Sequence, residues 1–321
     1  MPKVFIESLG RGYGPALAMG MRFVGAEATL RPGVRVAIKP NLTFPHFRPG
    51  VMTSREAIEA VVAFLKEHTN RITICEADSG GYNRFAMEEV FRATGLDELA
   101  RRYDVTLCNL SRVPVRRFGV RTGWRRLVVP LPAPILEETD LLVTMPVPKV
   151  HANTVLSGAM KNQWGLIPHP EVRLRLHPYL NAVLWELHQV LPKTIVVMDG
   201  RWGLNRNGPM RGEAVALDWL LASDDVLAAD LAMAQLLGFA AQQVPHLRYA
   251  CRRRGWQRSV ALECNRELSE FCRQRFCLER AWTDLPGRVA FRWPAAAWLA
   301  YRSPLAAPLH RLLYLVREPF Y

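Results

Sequence analysis

Val34-Arg35-Val36-Ala37-Ile38, then residues 54–66, then Ile72-Thr73-Ile74-Cys75 read as strand, helix, strand. The outer runs are short, apolar and rich in β-branched residues, as buried strands are. A loop rich in Pro and Phe, residues 40–49, leads from the first run towards Ser54. Ser54 caps the helix, and Ile58, Val61, Val62 and Leu65 share one of its faces. The same alternation continues outward. Residues 83–94 read as a helix stopped by Gly95, residues 105–110 as a third strand and residues 113–131 as a basic hairpin. Residues 140–145 and 194–198 read as further strands, and residues 224–237 as an apolar helix closed by Gly238. Strands alternating with helices predict an α/β fold: a mostly parallel sheet with helices on both faces.

Past residue 245 this rhythm is lost. Residues 1–245 read as the α/β core, and residues 246–321 as a basic, aromatic-rich and mainly helical C-terminal appendage. Residues 248–321 carry 14 bases against 6 acids, so the excess of positive charge is concentrated there. The tail from Trp293 to Tyr321 mixes Trp298, Tyr301, Leu312, Leu313 and Tyr314 with Arg302, Arg311 and Arg317. Such a mixture suits packing on the core or peripheral contact with an anionic membrane through 293–321. The charge would also allow nucleic acid, but no nucleic-acid-binding motif accompanies it, and that partner is not expected.

Half of the 321 residues are apolar and 22% are charged, an ordinary globular composition that excludes disorder and fibrous repeats. No apolar run is long enough to span a bilayer, and the first residues lack a signal-peptide pattern. The six cysteines are too scattered to staple a chain of this size, which points to a reduced, cytoplasmic protein, either free or peripheral at a membrane. The last four cysteines are separated by 12, 7 and 4 residues, a spacing that fits neither a zinc nor an iron–sulfur site.

Only six of the 42 basic residues are lysines, so a lysine in a motif draws notice. Ligands of parallel sheets sit at the carboxyl ends of the strands. Ile38-Lys39-Pro40-Asn41 places an ammonium there on a rigid exit. Glu76-Ala77-Asp78-Ser79-Gly80-Gly81 pairs carboxylates with a turn whose amides can cradle an anion. Pro146-Val147-Pro148-Lys149-Val150-His151 keeps the chain extended into a polar cluster. Asn153 or Thr154 would then cap a helix over residues 155–162, which ends at Lys161-Asn162. The expectation is a crevice that binds an anionic small molecule, phosphorylated or carboxylated. Lys39, Lys149 and Lys161 would supply charge, Asn41 and Asn162 would orient the ligand, and Ser79, Gly80 and His177 would contact it. His151, whose ordinary pKa is near neutrality, would be the general acid or base, and crowding could make one lysine a neutral base. Asp199, in Met198-Asp199-Gly200, would orient His151 or join Asp78 on a divalent metal. Transferase, lyase or isomerase chemistry fits. A non-catalytic accessory protein that docks through the basic tail, and a redox accessory, are the rival readings.

Ile38-Lys39-Pro40-Asn41-Leu42, Pro148-Lys149-Val150-His151, Lys161-Asn162-Gln163-Trp164-Gly165, Met198-Asp199-Gly200, Asn207-Gly208-Pro209 and Ala222-Ser223-Asp224-Asp225 occur in this order. In them the chain resembles the bacterial and archaeal family called domain of unknown function 362, over about residues 34–240. The resemblance implies the extent of a domain and no particular reaction. Some members of the family add a ferredoxin-like iron–sulfur domain, whose cysteine pattern is missing here. The family's Glu-Gly pair before the Gly-Pro turn is replaced by Leu204-Asn205-Arg206-Asn207, so a metal bound through that acid would be held weakly or differently.

Overall fold

The computed structural model describes residues 1–80 and 84–316. The expectations for Gly81 in the glycine turn, for Asn83 at a helix start and for residues 317–321 of the tail lie outside the described residues.

β1 (Lys3–Ser8) opens the chain, and β2 (Val36–Pro40) and β3 (Ile72–Glu76) flank the helix Arg55–Lys66. Its N-cap is Ser54, whose side chain accepts from the Ala57 amide, as the sequence predicts. β4 (Ser79–Gly80) and β5 (Arg84–Phe85) form a short ladder before β6 (Thr106–Asn109). β7 (Val115–Thr122) and β8 (Arg125–Pro132) are the basic hairpin. β9 (Leu141–Met145), β10 (Lys149–His151), β11 (Val155–Ser157), β12 (Lys193–Asn205), β13 (Glu213–Ser223) and β14 (Glu263–Cys264) follow.

The sheet runs β14-β1-β13-β12-β9-β2-β3-β6. Every neighbouring pair from β12 to β6 is parallel, while β13 is antiparallel to both β12 and β1. After building outward through β2, β3 and β6, the chain returns to the other side of β2 as β9. That reversal makes a crevice at the carboxyl ends of β2 and β9, where α/β folds bind ligands. Buried side chains cover both faces in two clusters. One contains Ile58, Val62, Leu65 and Leu17, and the other contains Val183, Leu187, Leu227 and Leu247.

Three local readings change. The helix expected over 83–94 is Met87–Ala93, and Gly95, with φ +70°, starts a second helix, Leu96–Tyr103. The strand expected over 194–198 is the 13-residue β12, long enough to pair with β9 and then with β10. The helix expected over 155–162 is the hairpin β10–β11 followed by a four-residue helix, Ala159–Asn162. Neither Asn153 nor Thr154 caps that helix. Its first amides, of Ala159 and Met160, donate to the carboxylate of Asp230, which is fully buried in the helix Val226–Leu236. The N-terminus of this helix is therefore occupied by the protein's own carboxylate.

Gly158 makes that contact possible: a Cβ there would lie 2.2 Å from Asp230 Oδ1 and 2.7 Å from Met233 Cε. Gly158→Ala is expected to cost about 1–3 kcal/mol through overpacking, read as a lower urea midpoint at unchanged slope. An unchanged midpoint would mean that the helix Val226–Leu236 is free to shift.

The helix Pro245–Arg254 starts at the drawn boundary and buries His246, Leu247, Ala250 and Cys251 against the core of the first segment. β14 pairs with β1, and Leu268, Phe271 and Phe276 enter the same core. Short helices follow at Leu285–Ala290, Pro294–Tyr301 and Ala306–Tyr314. Among the described residues no helix is long and apolar enough to cross a membrane.

Candidate functional site

Two prolines set the position of β10. After β9 ends at Met145, the Pro146 carbonyl accepts from the Asp199 amide at 2.9 Å and the Pro148 carbonyl from the Leu204 amide at 3.1 Å. The chain thus stays extended along β12, and Lys149 and His151 stand just beyond the carboxyl end of the sheet. Both are buried, at 3% and 7% exposure. The Lys149 ammonium donates to the Val51 carbonyl at 2.5 Å. Among the described residues no carboxylate lies within ion-pair distance of Lys149 or Lys161.

These groups act on one another. Burial, followed by the charges of Lys161 and Lys39, pushes Lys149 down to about 7. Burial and then Arg173 push Lys161 down to about 8. Burial and Lys161 take His177 down to about 3. His151 falls well below its ordinary value through burial first, then Lys161, His177, Lys149 and His246. At neutral pH His151 is therefore a neutral imidazole, unlike the near-neutral titrating group expected from its type. Its Nδ1 accepts from the Asn153 amide at 3.1 Å, which leaves the proton on Nε2. The hairpin that holds it is strained, because Val155, paired with His151, has φ +69°, a rare conformation for a β-branched residue.

Lys39 has a different setting. Its ammonium donates to Glu76 Oε2 at 2.7 Å, with both side chains almost fully buried, and also to the Pro40 carbonyl at 3.1 Å. Asn162 secures this point. Its Nδ2 donates to the Lys39 carbonyl and to Thr144 Oγ1, bridging β2 and β9. Its Oδ1 accepts from Lys39 at 3.4 Å. Gly165 leaves the room, since a Cβ there would stand 2.8 Å from both Lys39 Nζ and Glu76 Oε1. Glu76 belongs to the turn motif, and nothing in the sequence pairs it with Lys39, 37 positions away.

The remaining expected residues lie apart from this centre. Asn41 ties its backbone to Thr53. Ser79 Oγ donates to the Thr43 carbonyl at 2.6 Å, and Gly80 is exposed with φ +96°. Asp78 accepts from Asn109 and the Met87 amide. Asp199 accepts from Tyr13, from Ser54 through both amide and hydroxyl, and from the Arg201 amide. The two aspartates share no partner, and Asp199 holds Ser54 and Tyr13 rather than His151. Among the described residues no group of three or more His, Cys, Asp or Glu is placed to hold a metal. Asn205, standing where the family pattern expects an acid, uses its Oδ1 to accept from the amides of Arg206 and Cys277.

Sequence reasoning missed His246. It is fully buried, neither ring nitrogen has a hydrogen-bond partner, and burial followed by Lys161 and His188 lowers its pKa to about 3. Gln163 is equally buried, with both amide atoms unpartnered. Buried polar groups are normally hydrogen-bonded, so these two are unusual reserves of donors and acceptors.

A cleft of about 460 Å³, lined by Leu42, Thr53, Ser54, Glu56, Arg201 and Trp202, borders the Asp199 cluster. A second, of about 500 Å³, lies at the opposite, amino ends of β2 and β3, beside Arg35, Asn70 and Arg71. Neither is lined by Lys149, His151 or Lys161. The C-terminal segment lies against their neighbours: Arg280 Nε donates to the Ala152 carbonyl at 2.9 Å, and the Phe291 ring lies 4.3 Å from that of His177. Lys161 and His177 are the partly exposed members of the centre.

A relative from Synechocystis, described as a thylakoid-associated protein, is 24% identical over 225 residues, covering 67% of each chain. No solved structure matches. Residues 36–235, which carry β2 through to the helix Val226–Leu236, match the family described as Domain of unknown function (DUF362). The chain belongs to that family.

Proposed function

We propose that this protein is an enzyme whose substrate is an anionic small molecule, phosphorylated or carboxylated, held by Lys149, Lys161 and the imidazoles of His151 and His177. One observation carries the reading: Lys149 is buried and Lys161 half-buried in one another's field, and among the described residues neither has a carboxylate within ion-pair distance. Uncompensated buried charge is costly, and an arriving anion removes that cost. Lys149, at about 7 in the empty site, is the group that changes protonation near neutral pH; a bound anion raises that value, so in the complex it takes the role of general acid. His151 donates through Nε2 to the ligand, and Lys161 supplies fixed charge at the entrance. Transfer, lyase and isomerase chemistry all use such a proton donor beside a charge clamp. Ligand exchange requires Phe291 and Arg280 to move aside. Lys39, Glu76 and Asn162 are positioning residues that join β2 to β9 beneath the centre.

A reduced, cytoplasmic setting belongs to the same proposal. All six cysteines are free thiols, including Cys75 and Cys108, which are paired in register on β3 and β6.

The test is thermal stabilisation by inorganic phosphate and by sulfate. Wild type is expected to be stabilised in a saturable way. Lys149→Met and Lys161→Met are each expected to weaken the anion about tenfold or more, as loss of one partly buried charge contact does. The apo melting temperature of Lys149→Met should be equal to or above that of wild type. A variant that unfolds early would make Lys149 structural, and a wild type indifferent to both anions would overturn the reading.

A further inference from the structure

The C-terminal segment packs beside the anion centre, against Ala152 and His177, and leaves another side bare. In and beside the helix Ala306–Tyr314, Leu305, Leu309, Leu312 and Val316 are 55, 42, 65 and 55% exposed. Their spacing of four, three and four residues places them on one helical face. The opposite face is engaged: Ala306 is buried, and His310 packs between Tyr301 and Tyr314. A second series, Trp282, Leu285 and Val289, repeats at three and four residues and is 72, 57 and 41% exposed, and Trp293, extended at the cap of the next helix, is 55% exposed. Single exposed leucines are ordinary, but two ordered stripes in one short stretch are not.

Charge indicates what covers them. Residues 282–316 contain Arg288, Arg292, Arg302 and Arg311 against one acid, Asp284, which is buried and accepts from Asn207 and the Ala281 amide. All four arginines are exposed, and among the described residues none has a carboxylate partner. A second protein surface would have to supply acidic groups beside apolar ones. A bilayer of anionic lipid offers both, with phosphates at the level of the guanidinium groups and acyl chains below them. Tryptophan favours that boundary.

We propose that residues 282–316 dock the protein onto the surface of an anionic membrane, with the two apolar stripes inserted at the headgroup–acyl boundary. The helices Leu285–Ala290, Pro294–Tyr301 and Ala306–Tyr314 lie on the bilayer without spanning it. This surface is separate from the anion centre: its stripe residues are exposed, whereas Lys149 and His151 are buried.

The full-length chain is sedimented with vesicles of phosphatidylcholine alone and of an equal mixture with phosphatidylglycerol, while tryptophan emission is recorded. The chain should pellet with the mixed vesicles, with emission shifted to the blue, and should stay in solution with the neutral ones. Leu309→Glu with Leu312→Glu, at sites exposed enough to keep the fold, should lower the partition coefficient at least about tenfold. Arg288→Gln and Arg311→Gln should each lower it about fivefold, the loss expected for one basic residue near an anionic surface. Lys149→Met should pellet like wild type, so a failed anion centre would leave this result standing. Equal pelleting of the leucine variant and wild type would overturn the proposal. So would a free chain that is dimeric until the leucines are changed, since the stripe would then be covered by a second copy.

Discussion

Glu76→Ala is expected to destabilise the folded chain by about 3–5 kcal/mol, the loss typical of a buried ion pair deprived of one partner. The loss has a definite origin. The Lys39 side chain is 1% exposed, and its Nζ keeps only the Pro40 carbonyl and Asn162 Oδ1 once the carboxylate is gone. Glu76 Oε1 also accepts from the Ala77 amide, and Oε2 from the Leu42 amide, so two backbone donors lose an acceptor as well. Water cannot readily repair the gap, because the Gly165 backbone closes on the pair. Lys39→Met combined with Glu76→Gln removes both charges at nearly constant volume and should recover most of the loss, since an unpaired buried charge costs more than an absent pair. Urea unfolding of the single and double variants gives the coupling directly. A loss under about 1 kcal/mol for Glu76→Ala would mean that the chain relaxes to let solvent reach Lys39, and the pair would then not hold β2 to β3.

The contrast between Lys39 and Lys149 explains why the centre was only partly legible in the sequence. Both are strand-end lysines in a chain poor in lysine, and local sequence cannot tell them apart. Their difference comes from β3, which delivers Glu76 to one and nothing to the other. The helix Arg55–Lys66 was legible to the residue because its cap, its period and its start lie within thirteen positions. The parallel strands were legible because their apolar runs are continuous. β10–β11 was misread because the decisive partner, Asp230, lies 70 positions from Met160, and its carboxylate replaces the cap that local reasoning sought at Asn153 or Thr154. β1 and β13 were not anticipated: β13 follows β12 with no helix between them, and β1 finds its partner at the far end of the core, with Val4 opposite Ser223. His246 lay beyond the drawn boundary, yet its helix packs on the core and its imidazole enters the field of Lys161.

Sulfate affinity is expected to fall as pH rises above 7, approaching tenfold per pH unit, and to fall more steeply above 8. Sulfate does not titrate in this range, so the change reports the protein. Lys149 at about 7 and Lys161 at about 8 lose their protons in turn, and an anion bound beside them raises both values, so binding takes up protons where the apo groups have lost them. Linkage makes the slope of log affinity equal to minus the protons taken up: one between pH 7 and 8, nearing two above 8. The stability of the apo protein should run the other way. The folded Lys149 value lies below the unfolded value of about 10.4, so the unfolded chain binds more protons between about pH 7 and 10, and this group's contribution to stability rises with pH in that window. Subtracting the Lys149→Met profile from wild type isolates that contribution from groups such as Asp230, which burial pushes up to about 7. In Lys149→Met the decline in sulfate affinity should begin only above pH 8, where Lys161 titrates. Isothermal titration in buffers of different ionisation enthalpy measures the proton uptake itself. Affinity that stays level from pH 7 to 9, with no protons exchanged, would show that the anion is held elsewhere and that these two lysines do not share a ligand.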